Sequence, residues 1–305
     1  MIVVTICKLL LGMGLGYYLN RKGIFSQDVC QKLSWFIVNI TMPMLIITSL
    51  GEVKVTDREE MILFILVGAG IYAVLPFLAK LLNLLSRVPK EERPAYEMFY
   101  LFSNCLFMGY PVAASLYGAK SIFYLNLFNL GFDLLYYTYG IGCSSGWKNG
   151  FKSVETLKMM ANPGSAACLA AIILFFCDLQ LPSAFNEVCN YVGNVSSPLS
   201  MIIIGAGIGN YSLKSVFAES RQLYVVSILR LIVMPVIAYG IMTLTGFTGM
   251  LRGIAVVTMG MPVAAIVSMG CTEYGIYERQ GSAGVAMTTV LSMGTIPLLL
   301  RKSQE

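Results

Sequence analysis

The chain contains no histidine and few charged residues, and both shortages restrict what it does. Only 12% of its 305 residues are Asp, Glu, Lys or Arg, whereas a typical soluble domain has roughly 25%. Without histidine, His-ligated zinc proteases and Ser-His hydrolases are excluded. A catalytic carboxylate pair requires a second mid-span acid beside Asp133, and none is evident. We therefore do not expect an enzyme.

Three further features are missing from the chain. No polar stretch is long enough to form a soluble domain, and the eight cysteines include no C-x-x-C pair and no metal-ligand spacing. The first twenty residues lack a basic start and a small-residue cleavage site, so we expect a retained first span rather than a signal peptide. We expect no metal site, no cofactor and no nucleic-acid partner.

Long apolar segments make up most of the chain. Hydrophobic residues account for 57% of it, and the mean hydropathy is +0.73. Because a membrane-spanning helix needs about 20 mostly apolar residues, the sequence predicts an all-α integral membrane protein with about ten spans in the lipid bilayer. The expected spans are 2–19, 32–51, 61–85, 97–118, 121–142, 161–181, 186–209, 222–245, 249–275 and 280–300.

The basic residues indicate how these spans are oriented. The loops after spans one, three, five, seven and nine carry thirteen Lys and Arg residues, against six on the other side. Because cytoplasmic loops are enriched in Lys and Arg, we expect a multi-pass protein of the cell membrane with both termini outside. The longest connection, Ser144–Met160, is either an amphipathic surface segment or a plain polar linker.

One short motif occurs twice, each time inside a long apolar segment. Met108–Ala114 reads M-G-Y-P-V-A-A, and Met259–Ala265 reads M-G-M-P-V-A-A. Proline lacks an amide hydrogen and its ring clashes with the carbonyl four residues earlier, so Pro111 and Pro262 are each expected to break a helix at mid-depth. Such paired interruptions in the two halves of a membrane protein indicate the binding site of a secondary transporter.

Other prolines indicate that the two motifs belong to an internal repeat. Asn39–Pro43 matches Asn194–Pro198 at a spacing of 155 residues, and Pro76 matches Pro235 at 159. With five spans in each half, the halves enter the membrane from opposite faces, which predicts two inverted repeats. The alternative is that prolines recur independently in membrane helices. The expected divisions are residues 1–142 (first repeat), 143–160 (cytoplasmic loop) and 161–305 (second repeat).

Several motifs resemble those of the auxin efflux carrier family, which belongs to a superfamily with bile acid and arsenite transporters. Asn104–Pro111, followed by Leu116–Gly118, is similar to that family's fourth helix. Arg230–Pro235 resembles its eighth helix, and Pro262 with Glu273–Gly275 resembles its ninth. The resemblance covers the whole chain. The long cytoplasmic loop of the plant carriers is missing, which indicates a short member of the family.

The resemblance implies a fold in which helices four and nine cross at unwound centres. It implies a scaffold of helices one, two, six and seven, through which two copies form a homodimer, and a core of the other six helices that moves like an elevator. The implied function is alternating-access transport of a small organic anion, such as a mono- or dicarboxylate or an auxin-like acid. The alternative is a membrane channel or a substrate-sensing receptor with the same fold.

The broken helices supply the candidate substrate site. The N-terminal ends of half-helices carry partial positive charge and free amides, which suit a carboxylate. Asn104 is expected to donate its side-chain amide to the substrate; alternatively, it bonds a carbonyl freed by the break. The candidate substrate-binding residues are Asn104, Gly109, Tyr110, Pro111, Gly260, Met261, Pro262 and Arg230.

Polar residues of span five supply a candidate coupling site. Asn126, Asn129 and Asp133 lie on one helical face, and an ionisable group at mid-bilayer is unfavourable unless it is paired or hydrated. Two roles are open for Asp133: it binds a coupling proton or sodium ion, or it pairs with Arg230 and stabilises the core. Arg230 in turn either attracts the anionic substrate or pairs with Asp133 or a helix end.

Two weaker patterns lie in the outer spans. Asn194 and Ser197 belong to a polar stripe of span seven, which is expected to line the cavity wall or to contact a neighbouring helix. The glycine runs Gly12–Gly16 and Gly205–Gly209 do not follow strands, as nucleotide-binding loops do, so they predict close packing of helices.

Overall fold

The regular secondary structure of the described chain is helical. The computed structural model describes residues 2–49, 58–144, 163–177, 179, 181–210, 221–273 and 276–302. Within these ranges the one β-type contact is an isolated antiparallel bridge between Ser103 and Val263. The expected all-α fold is confirmed, whereas the ten spans and their inverted repeat stay predictions. Most of the expected cytoplasmic connection, residues 145–160, lies outside the described residues.

The helices follow one another with short π-helical segments between some of them. The first half contains α1 (Ile2–Arg21), α2 (Gln27–Phe36), π1 (Ile37–Thr41), α3 (Met42–Thr48), α4 (Arg58–Leu85), a 3₁₀ turn (Lys90–Glu92), α5 (Arg93–Leu101), π2 (Cys105–Gly109), α6 (Tyr110–Tyr117), α7 (Lys120–Leu135), π3 (Tyr136–Gly140) and α8 (Ile141–Ser144). The second half contains α9 (Pro163–Phe176), α10 (Ser183–Gly193), α11 (Ser196–Gly209), α12 (Arg221–Ile228), π4 (Leu229–Val233), α13 (Met234–Leu244), α14 (Gly249–Gly260), α15 (Ala265–Glu273) and α16 (Glu278–Lys302).

Several of these helices are long and apolar enough to cross a bilayer. Large apolar side chains are exposed on them, including Phe77 at 74% and Leu244 at 88%. Exposed apolar surface of this kind is unfavourable in water but suits lipid chains. The chain is therefore a multi-pass membrane protein. In the described residues, the runs with the length and composition of a span are Gln27–Thr48, Glu59–Leu85, Ser183–Gly209 and Arg221–Leu244.

The helices assemble into two compact units that interleave along the chain. The first unit comprises Met1–Ile65, Leu106–Leu127 and Ala161–Asn210. The second comprises Leu66–Cys105, Phe128–Met160 and Tyr211–Glu305. These units are defined by packing, whereas the division expected from the sequence concerns internal repeats. The repeat boundaries therefore stay a prediction.

In the first unit, glycines allow α1 and α11 to pack in backbone contact. A Cβ atom added to Gly16 would lie 1.9 Å from the carbonyl oxygen of Ile202, and one added to Gly205 would lie 1.9 Å from that of Met13. Around Gly207, by contrast, an added Cβ would meet open space. The prediction that the glycine runs serve close helix packing is confirmed.

Three prolines in apolar helices are each preceded by a π-helical segment. Pro43, Pro111 and Pro235 are the second residues of α3, α6 and α13, which directly follow π1, π2 and π4. A π turn holds one residue more than an α turn, so it makes room for a ring that would otherwise clash with the carbonyl four residues earlier. At these prolines the helix widens and continues.

Candidate functional site

Two helices of the second unit are interrupted by short non-helical stretches. α5 ends at Leu101, and the helical path resumes with π2 after residues 102–104, which we call break one. α14 ends at Gly260, and α15 follows after residues 261–264, which we call break two. Each break removes carbonyls of the helix before it and amides of the helix after it from the hydrogen bonds that a continuous helix would form.

The two breaks bind each other through their main chains. The Asn104 amide donates to the Pro262 carbonyl over 2.8 Å, and the Ala264 amide donates to the Phe102 carbonyl over 2.9 Å. These reciprocal bonds flank the antiparallel bridge between Ser103 and Val263. We call this contact the crossing. It satisfies four of the polar main-chain groups that the breaks remove from their helices.

The first break lies earlier in the chain than the proline motif predicts. The prediction placed it at Gly109–Pro111, but these residues belong to a continuous helical run, π2 followed by α6. The prediction was wrong because π2 accommodates the Pro111 ring without ending the helix. At the crossing, the paired positions Ser103 and Val263 are 160 residues apart, so in the predicted repeat Asn104 would correspond to Ala264.

The second break contains Pro262, as the motif predicts, but its polar groups differ from the expectation. Gly260 ends α14 and Met261 is its C-cap, so these residues present carbonyls where amides were expected. The amide-bearing end belongs to α15, which begins at Ala265. The positive end of the ninth helix therefore starts about one turn later than predicted.

Arg230 bonds to both sides of the crossing from π4. Its side chain is fully buried. Nη1 donates to the Tyr100 carbonyl over 2.7 Å, Nε donates to the Met261 carbonyl over 3.3 Å, and Nη2 donates to Ser103 Oγ. The two carbonyls lie at the C-terminal ends of α5 and α14, which carry partial negative charge. Of the roles left open for Arg230, the structure supports the bond to helix ends.

Three hydroxyl residues near the crossing were missed by the sequence reasoning. Ser103 contacts Arg230, and Thr288 on α16 accepts the Val263 amide over 3.0 Å. Thr258, one turn before break two, has a buried hydroxyl with no hydrogen-bond partner among the described residues. Their only signal in the sequence is a hydroxyl inside an apolar span, and many such residues merely bond their own helix.

The residues proposed for ion coupling all lie on α7, and Asn126 and Asn129 bond different tyrosines. Asn126, in the first unit, accepts from the Tyr110 hydroxyl and donates to the Ile122 carbonyl over 2.8 Å. Asn129, in the second unit, accepts from the Tyr72 hydroxyl over 2.9 Å. The Asn129 amide nitrogen has no partner in the described part of the chain. The side chain of Asp133, on α7, lies outside the described residues.

The predicted cavity-wall residues lie at the bend between α10 and α11. Asn194 is the exposed C-cap of α10, and Ser197 is half-buried in the first turn of α11. The buried hydroxyl of this bend belongs to Ser196, which donates to Thr41 Oγ1 over 2.7 Å. In the part of the first unit that the structure describes, a contact between helices is thus made by Ser196, which lies next to the predicted stripe rather than in it.

An apolar cleft of about 360 Å³ lies in the second unit between α4 and α13. Its lining is apolar, including Ile71, Leu75 and Ile237, apart from Thr245, whose hydroxyl donates to the Ile241 carbonyl over 2.9 Å. A carboxylate requires hydrogen-bond donors or a positive charge to replace its water. The cleft offers neither, so the crossing is the better candidate for an anion site.

Comparison with known proteins finds a family of membrane transport proteins. Residues 1–300 match the family model described as membrane transport protein. The chain is 24% identical over 294 residues to an "Uncharacterized transporter" of Methanothermobacter thermautotrophicus, covering 96% of each chain. It is 27% identical over 296 residues to another of Methanocaldococcus jannaschii, covering 93% of this chain and 92% of that one.

A shorter match extends the set of relatives. Over 140 residues, the chain is 25% identical to a Rhizobium meliloti protein named "Putative malonate transporter", covering 46% of this chain and 43% of that one. The family match extends over almost the entire chain, including both breaks and Arg230. The protein belongs to the membrane transport protein family, which is the auxin efflux carrier family that its fourth helix resembles.

Proposed function

We propose that the protein is a secondary carrier that moves a small organic anion, a mono- or dicarboxylate, across the cell membrane. The observation that carries this proposal is the crossing itself. Two interrupted helices are joined through their main chains in the second unit, and a buried guanidinium is bonded to both of them. Interrupted helices with a fixed positive charge are the type of site that carriers use for anions.

The charges at the crossing favour an anion. Each helix end carries roughly half an elementary charge, negative at the C-terminus and positive at the N-terminus. Arg230 offsets the two negative ends, of α5 and α14, through the carbonyls of Tyr100 and Met261. The positive ends that begin at Cys105 and Ala265 are left over. The balance is positive, by about one charge, where a carboxylate would bind.

In this proposal the substrate contacts the amide-bearing ends and the Asn104 side chain, which is only 5% exposed. Arg230 holds the crossing and adds its charge. The other proposed contacts are Gly109, Tyr110, Pro111, Gly260, Met261 and Pro262, with Asn194 and Ser197 on the cavity wall and Asn126, Asn129 and Asp133 in ion coupling.

The proposal includes the architecture that the resemblance implies. Ten spans form two inverted repeats with both termini outside, and the core moves like an elevator against a scaffold that dimerises. Two contacts support a repeat: Thr41 bonds Ser196 at a spacing of 155 residues, and Ser103 pairs with Val263 at 160. Contacts between equivalent positions are expected where a two-fold axis relates the halves.

Substrate counterflow in proteoliposomes tests the carrier proposal without any assumption about its energy source. Liposomes loaded with unlabelled malonate are given labelled malonate outside, because one relative carries malonate in its name. We expect labelled malonate to accumulate transiently inside the liposomes. Acetate, succinate and other carboxylates should reduce this accumulation to different extents, and neutral malonamide should not reduce it. Asn104→Ala serves as the site variant and protein-free liposomes as the background. Equilibration without overshoot for every acid tested would favour a channel and contradict the carrier.

A further inference from the structure

One acidic side chain of the second unit, that of Glu97, is buried close to the crossing. Glu97 lies on α5, five residues before break one, which is about 7.5 Å along the helix axis. It is 8% exposed. Its Oε2 accepts a hydrogen bond from the Tyr139 hydroxyl over 2.5 Å. Sequence reasoning passed over this residue because it stands at the edge of an expected span, where a carboxylate usually reaches water.

The Glu97 carboxylate is held mainly by a neutral group. Among the described residues, the one ion pair within 4 Å joins Lys32 and Asp28. Lys80 approaches from α4 only as far as the Tyr139 ring, with Nζ 5.6 Å from the ring centroid. A carboxylate in direct contact with a cation would resist protonation. In the described part of the chain, Glu97 thus has a neutral hydrogen-bond donor and no cation within 4 Å.

The neighbouring groups accommodate both charge states of Glu97. When the carboxylate is ionised, Tyr139 donates to it. When Glu97 is protonated, the Tyr139 hydroxyl has Cys143 as another partner within hydrogen-bonding reach, one turn further along the same helical run. The phenol therefore has a second partner, and the change of state leaves no buried hydroxyl unsatisfied.

Other titratable groups complete this environment. Lys80 is exposed and lies five residues before the end of α4. The positive-inside count places this end of α4 on the cytoplasmic side. The titratable groups on the elements around α5 include Lys80, Tyr139, Cys143, Cys271 on α15, Glu278 and Arg279 on α16, Tyr277 before it, Lys90, Glu91 and Glu92 in the 3₁₀ turn, and Arg221 and Tyr224 on α12.

The cluster is connected to the crossing through α5. Glu97 and Tyr100 are three residues apart and share a helical face, and the Tyr100 carbonyl is bonded to Arg230. On the other side, the Phe102 ring of break one packs edge-on against Tyr136, with centroids 5.2 Å apart. Because Tyr136 and Tyr139 both belong to π3, movement at the carboxylate reaches break one through two contacts.

We propose that Glu97, with Tyr139 as its switching partner, is a proton-binding site that couples anion transport to proton movement. The proposal rests on the proposed carrier function. Glu97 takes a proton from water on one side of the membrane, keeps it while the anion crosses, and releases it to water on the other side. The proton offsets one negative charge of the cargo. If Asp133 also carries a coupling ion, both acids are needed for gradient-driven uptake; if Asp133 is structural, Glu97 alone is the coupling acid.

Two measurements on malonate-loaded proteoliposomes separate coupling from transport. Counterflow of labelled malonate reports the carrier alone, while a pH-sensitive dye in the lumen reports protons that enter with malonate. We expect wild-type protein to show both. Glu97→Gln should keep counterflow within about threefold of wild type, since the amide mimics the protonated acid. The same variant should lose the proton signal, and its accumulation of malonate under an acid-outside gradient should fall at least tenfold. The matched control is Glu91→Gln, an exposed acid close by in the chain, which should retain both.

A second variant keeps the proposal testable where Glu97→Gln does not fold. Tyr139→Phe removes the donor to the ionised carboxylate, so the pH at half-maximal uptake should rise by about one unit, while the rate at acid pH is retained. Proton-driven accumulation by Glu97→Gln at the wild-type level would overturn the proposal, as would an unshifted pH profile in Tyr139→Phe. Counterflow by wild-type protein without proton movement would overturn the coupling alone. Absence of wild-type counterflow would overturn the carrier function and this inference with it.

Discussion

At the scale of single residues, Arg230 determines the charge at the crossing. Its three donors end on two carbonyls and a hydroxyl that belong to the two breaks. The sequence predicted that a buried arginine would need partners, but left the anion, Asp133 and a helix end as alternatives. Only the position of break one, at residues 102–104, makes the Tyr100 carbonyl available. That position follows from packing, which the sequence does not reveal.

Replacing Arg230 should affect stability and anion affinity together. Arg230→Lys keeps the charge but lacks the planar fork that reaches three acceptors, so we expect a loss of about 1–3 kcal/mol of stability and weaker binding of malonate. Arg230→Met should lose more of both. The measurements are thermal unfolding in detergent and the malonate concentration that protects against it. Arg252→Lys is the control, because its cation lies over the Tyr239 ring and has no part in the crossing; unchanged affinity in Arg230→Met would refute the anion role.

Asn104 should contribute to affinity through its side chain, because its main-chain amide is already bonded to Pro262. Asn104→Ala should therefore leave the crossing intact and weaken malonate binding about tenfold, as expected for the loss of one hydrogen bond to a charged group. Calorimetric titration of the purified variant measures the change. Ala264→Ser, at the corresponding position of break two, is the control for a polar change at the crossing. Equal affinity in wild type and Asn104→Ala would show that the amide bonds a protein carbonyl.

Asp133 should affect coupling rather than binding if it carries an ion. Asp133→Asn is expected to abolish the gradient dependence of uptake and to leave malonate binding unchanged. Uptake under imposed proton, sodium and voltage gradients checks this, with Leu134→Ala, at an exposed position of the same helix, as the control. If malonate uptake by Asp133→Asn still depends on the same gradient, Asp133 is structural and Glu97 remains the coupling acid.

At the scale of elements, π segments explain where proline arguments succeeded and failed. The repeated motif correctly indicated two interrupted helices, and Pro262 lies inside break two. In the fourth helix, however, π2 accommodates the Pro111 ring without a break, and the helix is interrupted at residues 102–104 instead. The steric rule for proline predicts a clash inside a helix, but it does not predict whether a break or a π segment relieves that clash. The glycine runs were predicted more reliably, because close approach of two backbones admits no residue but glycine.

The π segment before Pro235 should help to place Arg230. Pro235→Ala removes the ring that π4 accommodates, so this segment is expected to rewind towards an α-helix and turn Arg230 away from its acceptors. We expect lower thermal stability and weaker malonate binding, in the direction of Arg230→Lys. The control is Pro76→Ala in α4, a helix in which the proline has no π segment before it. Equal effects of the two alanine variants would contradict a specific role for π4.

The contact between α1 and α11 should depend on which glycine is replaced. An alanine at Gly16 or Gly205 would place Cβ 1.9 Å from a carbonyl oxygen, so the helices must separate and the loss should reach several kcal/mol. Gly14→Ala and Gly207→Ala meet nothing within 4 Å and should be neutral or slightly stabilising. Thermal unfolding of the four variants in detergent gives the comparison. Similar losses at all four positions would indicate that propensity, rather than contact, sets the stability.

At the scale of the whole molecule, the reciprocal bonds of the crossing bear on how the carrier moves. Ser103 and Val263 form a non-hydrogen-bonded antiparallel pair, for which Cα atoms lie about 4.5 Å apart and a disulfide is geometrically allowed. If the crossing travels as one body, oxidation of the double variant Ser103→Cys with Val263→Cys should leave malonate counterflow within about twofold of the reduced state. The single variants control for loss of the serine contact. Counterflow that stops on oxidation and returns on reduction would show that the breaks separate during transport.

The buried guanidinium of Arg230 also has an electrical consequence. Because it is bonded within the crossing, it would travel with the crossing in an elevator-type carrier, whether or not an anion is bound. One elementary charge that traverses the full membrane potential gains or loses about 2.3 kcal/mol per 100 mV. The return of the unloaded carrier and the passage of the loaded one would then respond to voltage in different ways. A resting cell, negative inside, would hold the empty site facing inward and thereby set the direction from which cargo is first taken.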